Sequence, residues 1–234
     1  MNAATILSQL QRLGREGYKK ILMKHGVPEP CYGVKIEELK KIQKRVKQDY
    51  RLALDLYDSG NYDAQYLAGL IADDAKMTRR DLQRWADRAC GPLAGCTVPA
   101  VAAGSPHALA MARKWIESKQ ELVAVAGWGT WNSLVSVKPD AELDLKELQE
   151  LLRRVERTIH AAPNAVRYQM NAFVIAVGCF VKPLTELAKE VAERMGRVTV
   201  DMGDTACQVP YAPDYIRKVE QRGTIGKKRK SAKC

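Results

Sequence analysis

The chain has 234 residues, 46% of them hydrophobic and 28% charged, with 38 Lys and Arg against 27 Asp and Glu for a net charge of +11. This composition excludes a disordered polar chain, and the length allows one domain with a sizeable core. The longest mainly apolar stretch, Ala172 to Val181, falls well short of the roughly 20 residues that a bilayer-spanning helix needs, and the charge excess makes polyanions the natural class of partner.

Met1 to Leu13 alternates apolar and polar residues and lacks the apolar centre of a cleavable leader, so a soluble, cytoplasmic protein is expected, nucleoid-associated in a bacterium. Lys35 to Lys47 predicts a basic helix with Leu39, Ile42 and Val46 as its apolar stripe. Lys40, Lys44 and Lys47 share another face at i, i+4, i+7, which is either a phosphate-neutralising row or a solvated surface. Tyr66, Leu67, Leu70 and Ile71 give the next stripe, and Trp85 and Trp115 read as core. Trp128 and Trp131, at i, i+3 beside Gly127 and Gly129, also read as core in preference to an aromatic pair facing a base or sugar.

Further on, Leu148, Leu151, Leu152, Val155 and Ile159 mark a long amphipathic helix; Arg153, Arg154 and Arg157 sit late in it, where cations complement the helix dipole. Ala165 to Val181 predicts a buried helix, bounded by Pro163 and Pro183. Asn164, Arg167, Tyr168 and Asn171 form a polar stripe on it that must find partners: DNA phosphates and groove edges, or an internal network joining neighbouring helices. Val198 to Val200 is at most a brief extended piece. Gly196 to Pro213 has no helical period, and a short helix is expected over Asp214 to Gln221. Arg222 to Cys234 carries six cations and no acid, which predicts a mobile basic arm tracking phosphates with Lys227, Lys228, Arg229 and Lys230. Gly223 to Lys228 lacks the spacer and hydroxyl of a phosphate-binding loop.

The count is roughly ten or eleven helices of about 10 to 18 residues. Apolar second helices begin near Asp63, Leu93, Glu121 and Ala165, a recurrence of roughly 30 to 45 residues that suits two-helix HEAT-like units. The expected fold is therefore all-α, a HEAT-like helical repeat superhelix (α-α solenoid) over residues 1–196, followed by an irregular docking segment, 197–221, and a basic tail, 222–234. Six cysteines (Cys31, Cys90, Cys96, Cys179, Cys207, Cys234) and three histidines show no zinc-ligand spacing and no nucleophile–base constellation. Reduced, mostly buried thiols, no metal, no cofactor, no membrane and a monomer are expected.

The order of several segments is familiar. Gly33-Val34-Lys35-Ile36-Glu37 opens the basic helix, and Asn61 to Asp73 follows as a helix of the form x-x-x-x-Q-x-L-A-x-x-I. Arg113-Lys114-Trp115-Ile116 precedes an apolar helix; then comes Asn164-Ala165-Val166-Arg167-Tyr168-Gln169-Met170-Asn171-Ala172-Phe173. Last are Val200-Asp201-Met202-Gly203-Asp204-Thr205-Ala206-Cys207 and Val209-Pro210-Tyr211-Ala212-Pro213. Over essentially its whole length the chain resembles the AlkD-like DNA alkylation repair family. The resemblance implies a curved stack whose basic concave face holds duplex or branched DNA, a role in base excision repair, and excision of cationic N-alkylated purines. In competent relatives an acid and tryptophans on the concave face contact the lesion's deoxyribose, where the acid stabilises developing positive charge. The matching stretch here, Gly91 to Val98, contains no acid; Asp87 is the nearest and falls one or two turns early, and the corresponding aromatic would be Phe173 or Val174. The reading is thus a DNA-binding member of a repair family with no catalytic residue identified. Two rivals remain: an active alkylpurine glycosylase using Asp87, Asp201 or Asp204, and a HEAT scaffold that binds protein.

Overall fold

The computed structural model describes residues 2–233, so Met1 and the sixth cysteine, Cys234, lie outside the described residues. Thirteen α-helices are present among them, and no strand. They are α1 (Ala3–Leu13), α2 (Glu16–Lys24), α3 (Ile36–Val46), α4 (Tyr50–Asp58), α5 (Tyr62–Ile71), α6 (Arg79–Arg88), α7 (Val98–Gly104), α8 (Ala108–Trp115), α9 (Glu121–Val137), α10 (Leu145–Thr158), α11 (Asn164–Phe180), α12 (Thr185–Met195) and α13 (Ala212–Gln221). A π-helical turn, Leu93–Thr97, runs directly into α7. The count exceeds the sequence-based ten or eleven because short turns split several periodic stretches. No single helix among the described residues is long and apolar enough to cross a membrane.

Side-chain caps explain where many helices start. Asn2, Asp49, Asn61, Thr78 and Asp144 each accept a first-turn backbone N–H, worth about 1 kcal/mol apiece. Thr78 and Asp81 close a reciprocal capping box.

The helices stack in two layers. The inner layer is the series α3, α5, α7 with its π-turn, α9 and α11, each packed on the next. It contains the four apolar helices whose starts the sequence places near Asp63, Leu93, Glu121 and Ala165; the observed starts are Tyr62, Leu93 (the π-turn that runs into α7), Glu121 and Asn164. The outer layer, α4, α6, α8, α10 and α12, backs it. Ion pairs and hydrogen bonds link successive outer helices: Arg88 to Asp58, Lys114 to Gln83, Arg113 to Glu147, Arg154 to Glu117 and Arg194 to Glu156. Partners in these links stand 30 to 38 residues apart, so the repeat is visible as a recurring contact offset. All four tryptophans are buried between the layers, as expected. Tyr57 stacks on Trp85 at 4.1 Å between ring centres, and Trp128 meets Phe173 at 5.3 Å.

Close approach of the inner helices needs missing side chains. A Cβ on Gly69 would stand 2.2 Å from Thr97 Cγ2, and one on Gly127 would stand 2.6 Å from the Ile116 backbone nitrogen. Gly127 and Gly129, noticed in the sequence beside the tryptophans, are therefore packing residues.

One buried carboxylate orders the N-terminal third. Asp63, fully buried in α5, accepts the backbone N–H groups of Tyr32, Gly33 and Val34 at 2.6, 3.2 and 2.8 Å. This fixes the loop that delivers α3. Removing the acceptor strands buried donors, each costing about 1–3 kcal/mol. Asp63→Ala is therefore expected to lose at least about 3 kcal/mol in urea unfolding; a loss below about 1 kcal/mol would mean that another acceptor replaces it.

The thiols divide by burial. Cys31 and Cys179 are buried, and desolvation pushes both up to about 11, with Asp63 adding to the rise at Cys31. Cys207 is exposed, as is Cys96, so fewer cysteines are core residues than the sequence suggests. At pH 8 a thiol reagent is expected to modify Cys207 in the native protein but Cys31 and Cys179 only after unfolding. Equal rates at all three would contradict this packing.

Candidate nucleic-acid interface

The inner helices run in the same direction. Glu121, at the start of α9, accepts the N–H of Ala165 at the start of α11. At the other end, Gln43 of α3 donates to Leu70 O near the end of α5. One edge of the inner layer therefore collects helix N-termini and the other collects C-termini.

A groove of about 810 Å³ opens toward the N-terminal edge. Its floor is the π-turn region, Gly91, Pro92, Gly95 and Cys96, where glycines leave the backbone bare. Lys24 and His25, at the end of α2, form one wall; Tyr168 and Gln169 of α11 form another. Asn132 of α9 donates to Gln169 Oε1 at 2.9 Å, and Gln169 reaches back to Gly95 O, so three inner elements are tied together beneath it. The groove coincides with Gly91 to Val98, where the resemblance locates the family's chemistry.

Three residues of the predicted polar stripe on α11 are occupied inside the fold. Asn164 exchanges two hydrogen bonds with the backbone of Asp201, at 2.9 and 2.8 Å. Arg167 donates to Thr199 O at 2.7 Å and to Ala162 O at 3.0 Å, and buried Asn171 donates to Pro210 O at 2.9 Å. Together they clasp the irregular segment between α12 and α13 against α11. Arg197 lies over the Tyr211 ring at 4.8 Å and closes the far end. Of the stripe, Asn164 and Tyr168 line the groove.

The clasp brings in Asp201, one of the three acids that the sequence offers for the glycosylase reading. Asp201 is the one acid that lines the groove among the described residues; its Oδ1 accepts the Gly203 N–H at 2.9 Å. Asp87 is exposed on α6, accepts from Gln83 at 2.8 Å and is not part of the groove, nor is Asp204.

At the C-terminal edge the basic tail is not a mobile arm. It leaves α13 through Gly226, whose φ of +79° suits glycine, and runs over the ends of the inner helices. Gly226 N–H donates to Cys179 O of α11 at 2.9 Å, and Arg229 N–H donates to Ser136 O of α9 at 2.8 Å. Lys228 Nζ sits between Val135 O and Asp140, at 2.9 and 2.7 Å. Lys233 Nζ sits between Ala72 O, just past α5, and Asp74, at 2.8 and 2.7 Å. Carbonyls at helix C-termini lack intrahelical partners and carry partial negative charge, so a cationic strand is well matched to this edge. Of the four predicted tail residues, Lys228 is held within the fold, while Lys227, Arg229 and Lys230 are exposed and lack a carboxylate within 4 Å among the described residues.

Lys40 and Lys44 are exposed on α3, the first helix of the inner layer; Lys47, expected on the same face, is exposed just past the helix end, where its φ of +63° takes it off that face, and all three likewise lack such a carboxylate. Among the described residues no cluster of three or more His, Cys, Asp or Glu is placed to hold a metal ion.

Comparisons with known proteins agree with this architecture. Residues 6–190 match a family model described as DNA alkylation repair enzyme. An uncharacterised protein of Listeria innocua serovar 6a is 34% identical over 221 residues, covering 92% of this chain and 96% of the relative. An uncharacterised protein of Listeria monocytogenes serovar 1/2a gives the same figures. One solved structure superposes with a TM-score of 0.93 at 36% identity over the whole of both chains. It represents a family described as related to the HEAT-like repeat DNA glycosylases, with affinity for branched DNA structures. The family match spans both layers from α1 into α12, and the all-helical HEAT-like fold is shared from end to end: this chain belongs to the DNA alkylation repair enzyme family.

Proposed function

We propose that this protein binds DNA across its inner face, with branched DNA as the preferred form, and that it works by holding the phosphate backbone rather than by excising bases. The observation that carries this reading is the set of exposed cations on the tail, Lys227, Arg229 and Lys230, docked over the C-terminal ends of the inner helices, while the groove at the opposite edge holds a single acid. Lys24 at the groove wall, Lys40 and Lys44 on α3 and Lys47 just past its end add to the same charge. The similar protein from a family with affinity for branched DNA supports the choice of DNA form. Each phosphate neutralised on duplex DNA releases counterions and steepens the fall of log K with log salt by about 0.9. The groove's polar groups, Tyr168 and Gln169 among them, suit a strand whose bases are unpaired at a branch point.

A second reading rests on Asp201. A carboxylate at the groove can stabilise positive charge developing on a deoxyribose, which is what excision of an N-alkylated purine requires. Its Oδ1 already accepts from Gly203, and its neighbours in the groove are not aromatic apart from Tyr168, so binding without excision is favoured.

Fluorescence anisotropy with a four-way junction, plain duplex and single strands, over a salt series, tests the first reading. Junction binding is expected to weaken steeply with salt, and Lys40→Glu/Lys44→Glu/Lys47→Glu is expected to reduce the slope by about 1 per lysine that contacts phosphate. Binding that does not change with salt would defeat it. Incubation with duplex containing an N7-alkylated purine tests the second: no base release is expected, and release that disappears in Asp201→Asn would establish excision instead.

A further inference from the structure

The strap formed by residues 226–233 is built into the fold at two matching sockets. In each, a strap lysine lies between a carbonyl at the end of an inner helix and the aspartate that opens the following 3-10 turn. Lys233 meets Ala72 O and Asp74, the first residue of the turn Asp74–Lys76 after α5. Lys228 meets Val135 O and Asp140, the first residue of the turn Asp140–Glu142 after α9. Asp74 and Asp140 are thus equivalent positions two units apart in the stack. Gly104 keeps the first socket open, since a Cβ there would stand 2.4 Å from Asp74 Oδ2.

Chain length explains why both sockets are needed. From α11 to α5 the strap crosses three helix spacings of about 8–10 Å each. Residues 226 to 233 reach only about 25 Å when fully extended. The strap bends at Lys230 and Ala232, and the Lys233 side chain supplies the last reach to Ala72 O and Asp74. A strap pinned at Lys228 and Lys233 restricts where its exposed cations stand, and ordering them in advance removes an entropy cost that a loose tail would meet on binding. The matched family model ends at residue 190, so the strap lies beyond it.

We propose that Asp74 and Asp140 are positioning residues for a phosphate-backbone site made of Lys227, Arg229 and Lys230: by anchoring Lys233 and Lys228 they hold those three cations in place over the C-terminal ends of the inner helices. This rests on the DNA-binding reading above and makes a prediction that simple charge counting reverses. Deleting two acids from a DNA-binding protein should tighten its hold on a polyanion. Deleting these two releases the strap and weakens it.

The test compares wild type, Asp74→Asn/Asp140→Asn and Lys227→Ala/Arg229→Ala/Lys230→Ala as full-length chains, using four-way junction DNA over a salt series and limited trypsin digestion of the tail. The asparagine variant is expected to bind about five-fold more weakly with its salt slope retained, and to be cut faster in the tail. The alanine variant is expected to bind about ten-fold or more weakly, with a slope lower by about 2 to 3. Asp74→Glu/Asp140→Glu, which keeps the anions, should recover part of the affinity. Should the asparagine variant melt early, Lys228→Met/Lys233→Met opens the same sockets from the other side, with the same two readouts expected. Equal or tighter binding by a variant whose tail has become trypsin-sensitive overturns the proposal, and so does a tail that stays as resistant as wild type. Failure of wild type to bind any DNA at low salt would instead defeat the DNA-binding reading itself.

Discussion

Helices packed side by side in one direction collect their unpaired N–H groups along one edge and their unpaired carbonyls along the other. In this protein α3, α5, α7, α9 and α11 are packed in that way, and the two edges are treated differently. The amino edge is left open as a groove floored by bare backbone, with helix N-termini nearby. The carboxyl edge is covered by a cationic strand that donates backbone N–H groups and lysine ammonium groups to the exposed carbonyls. Parallel stacking thus accounts for both the location of the groove and the docking of the tail.

The segments that give the chain its family likeness prove to be halves of internal clasps. Gly33 and Val34 are held by Asp63, which lies in the next recognisable segment. Asn164 and Asn171 hold Asp201 and Pro210 of the last ones, and Arg167 holds Thr199 just before them. Buried or half-buried polar groups must be partnered, and here a helix side chain partners the backbone of a loop that has no regular structure to satisfy it. The clasp on α11 has a functional consequence: it carries Asp201 to the rim of the groove, near an inner-layer segment that has no acid of its own.

An ordered strap at one edge of the inner layer and an open groove at the other favour a protein that grips a DNA shape over one that encloses a reacting base. Removal of water and close electrostatic contact make excision efficient, whereas a broad cationic surface chiefly supplies affinity and orientation. The ion pairs on the outer layer serve a different purpose. They link successive outer helices to one another.

Several features were determined by the sequence alone. Apolar spacing located the helices from Lys35 to Val181, the buried tryptophans and the four apolar inner helices, because a 3.6-residue period and burial are local properties of the chain. The ordered segments identified the family, and the fold followed from it. The partners of polar residues were decided only by the tertiary structure. A stripe such as Asn164, Arg167 and Asn171 has the same spacing whether it faces DNA or a loop some 30 to 39 residues away. A run of lysines reads as a solvated arm until helix ends are packed beside it. The carbonyls that bind the tail, at Ala72, Val135, Ser136 and Cys179, belong to the backbone; no side chain announces them, and only the stacking of α5, α9 and α11 brings them into one line.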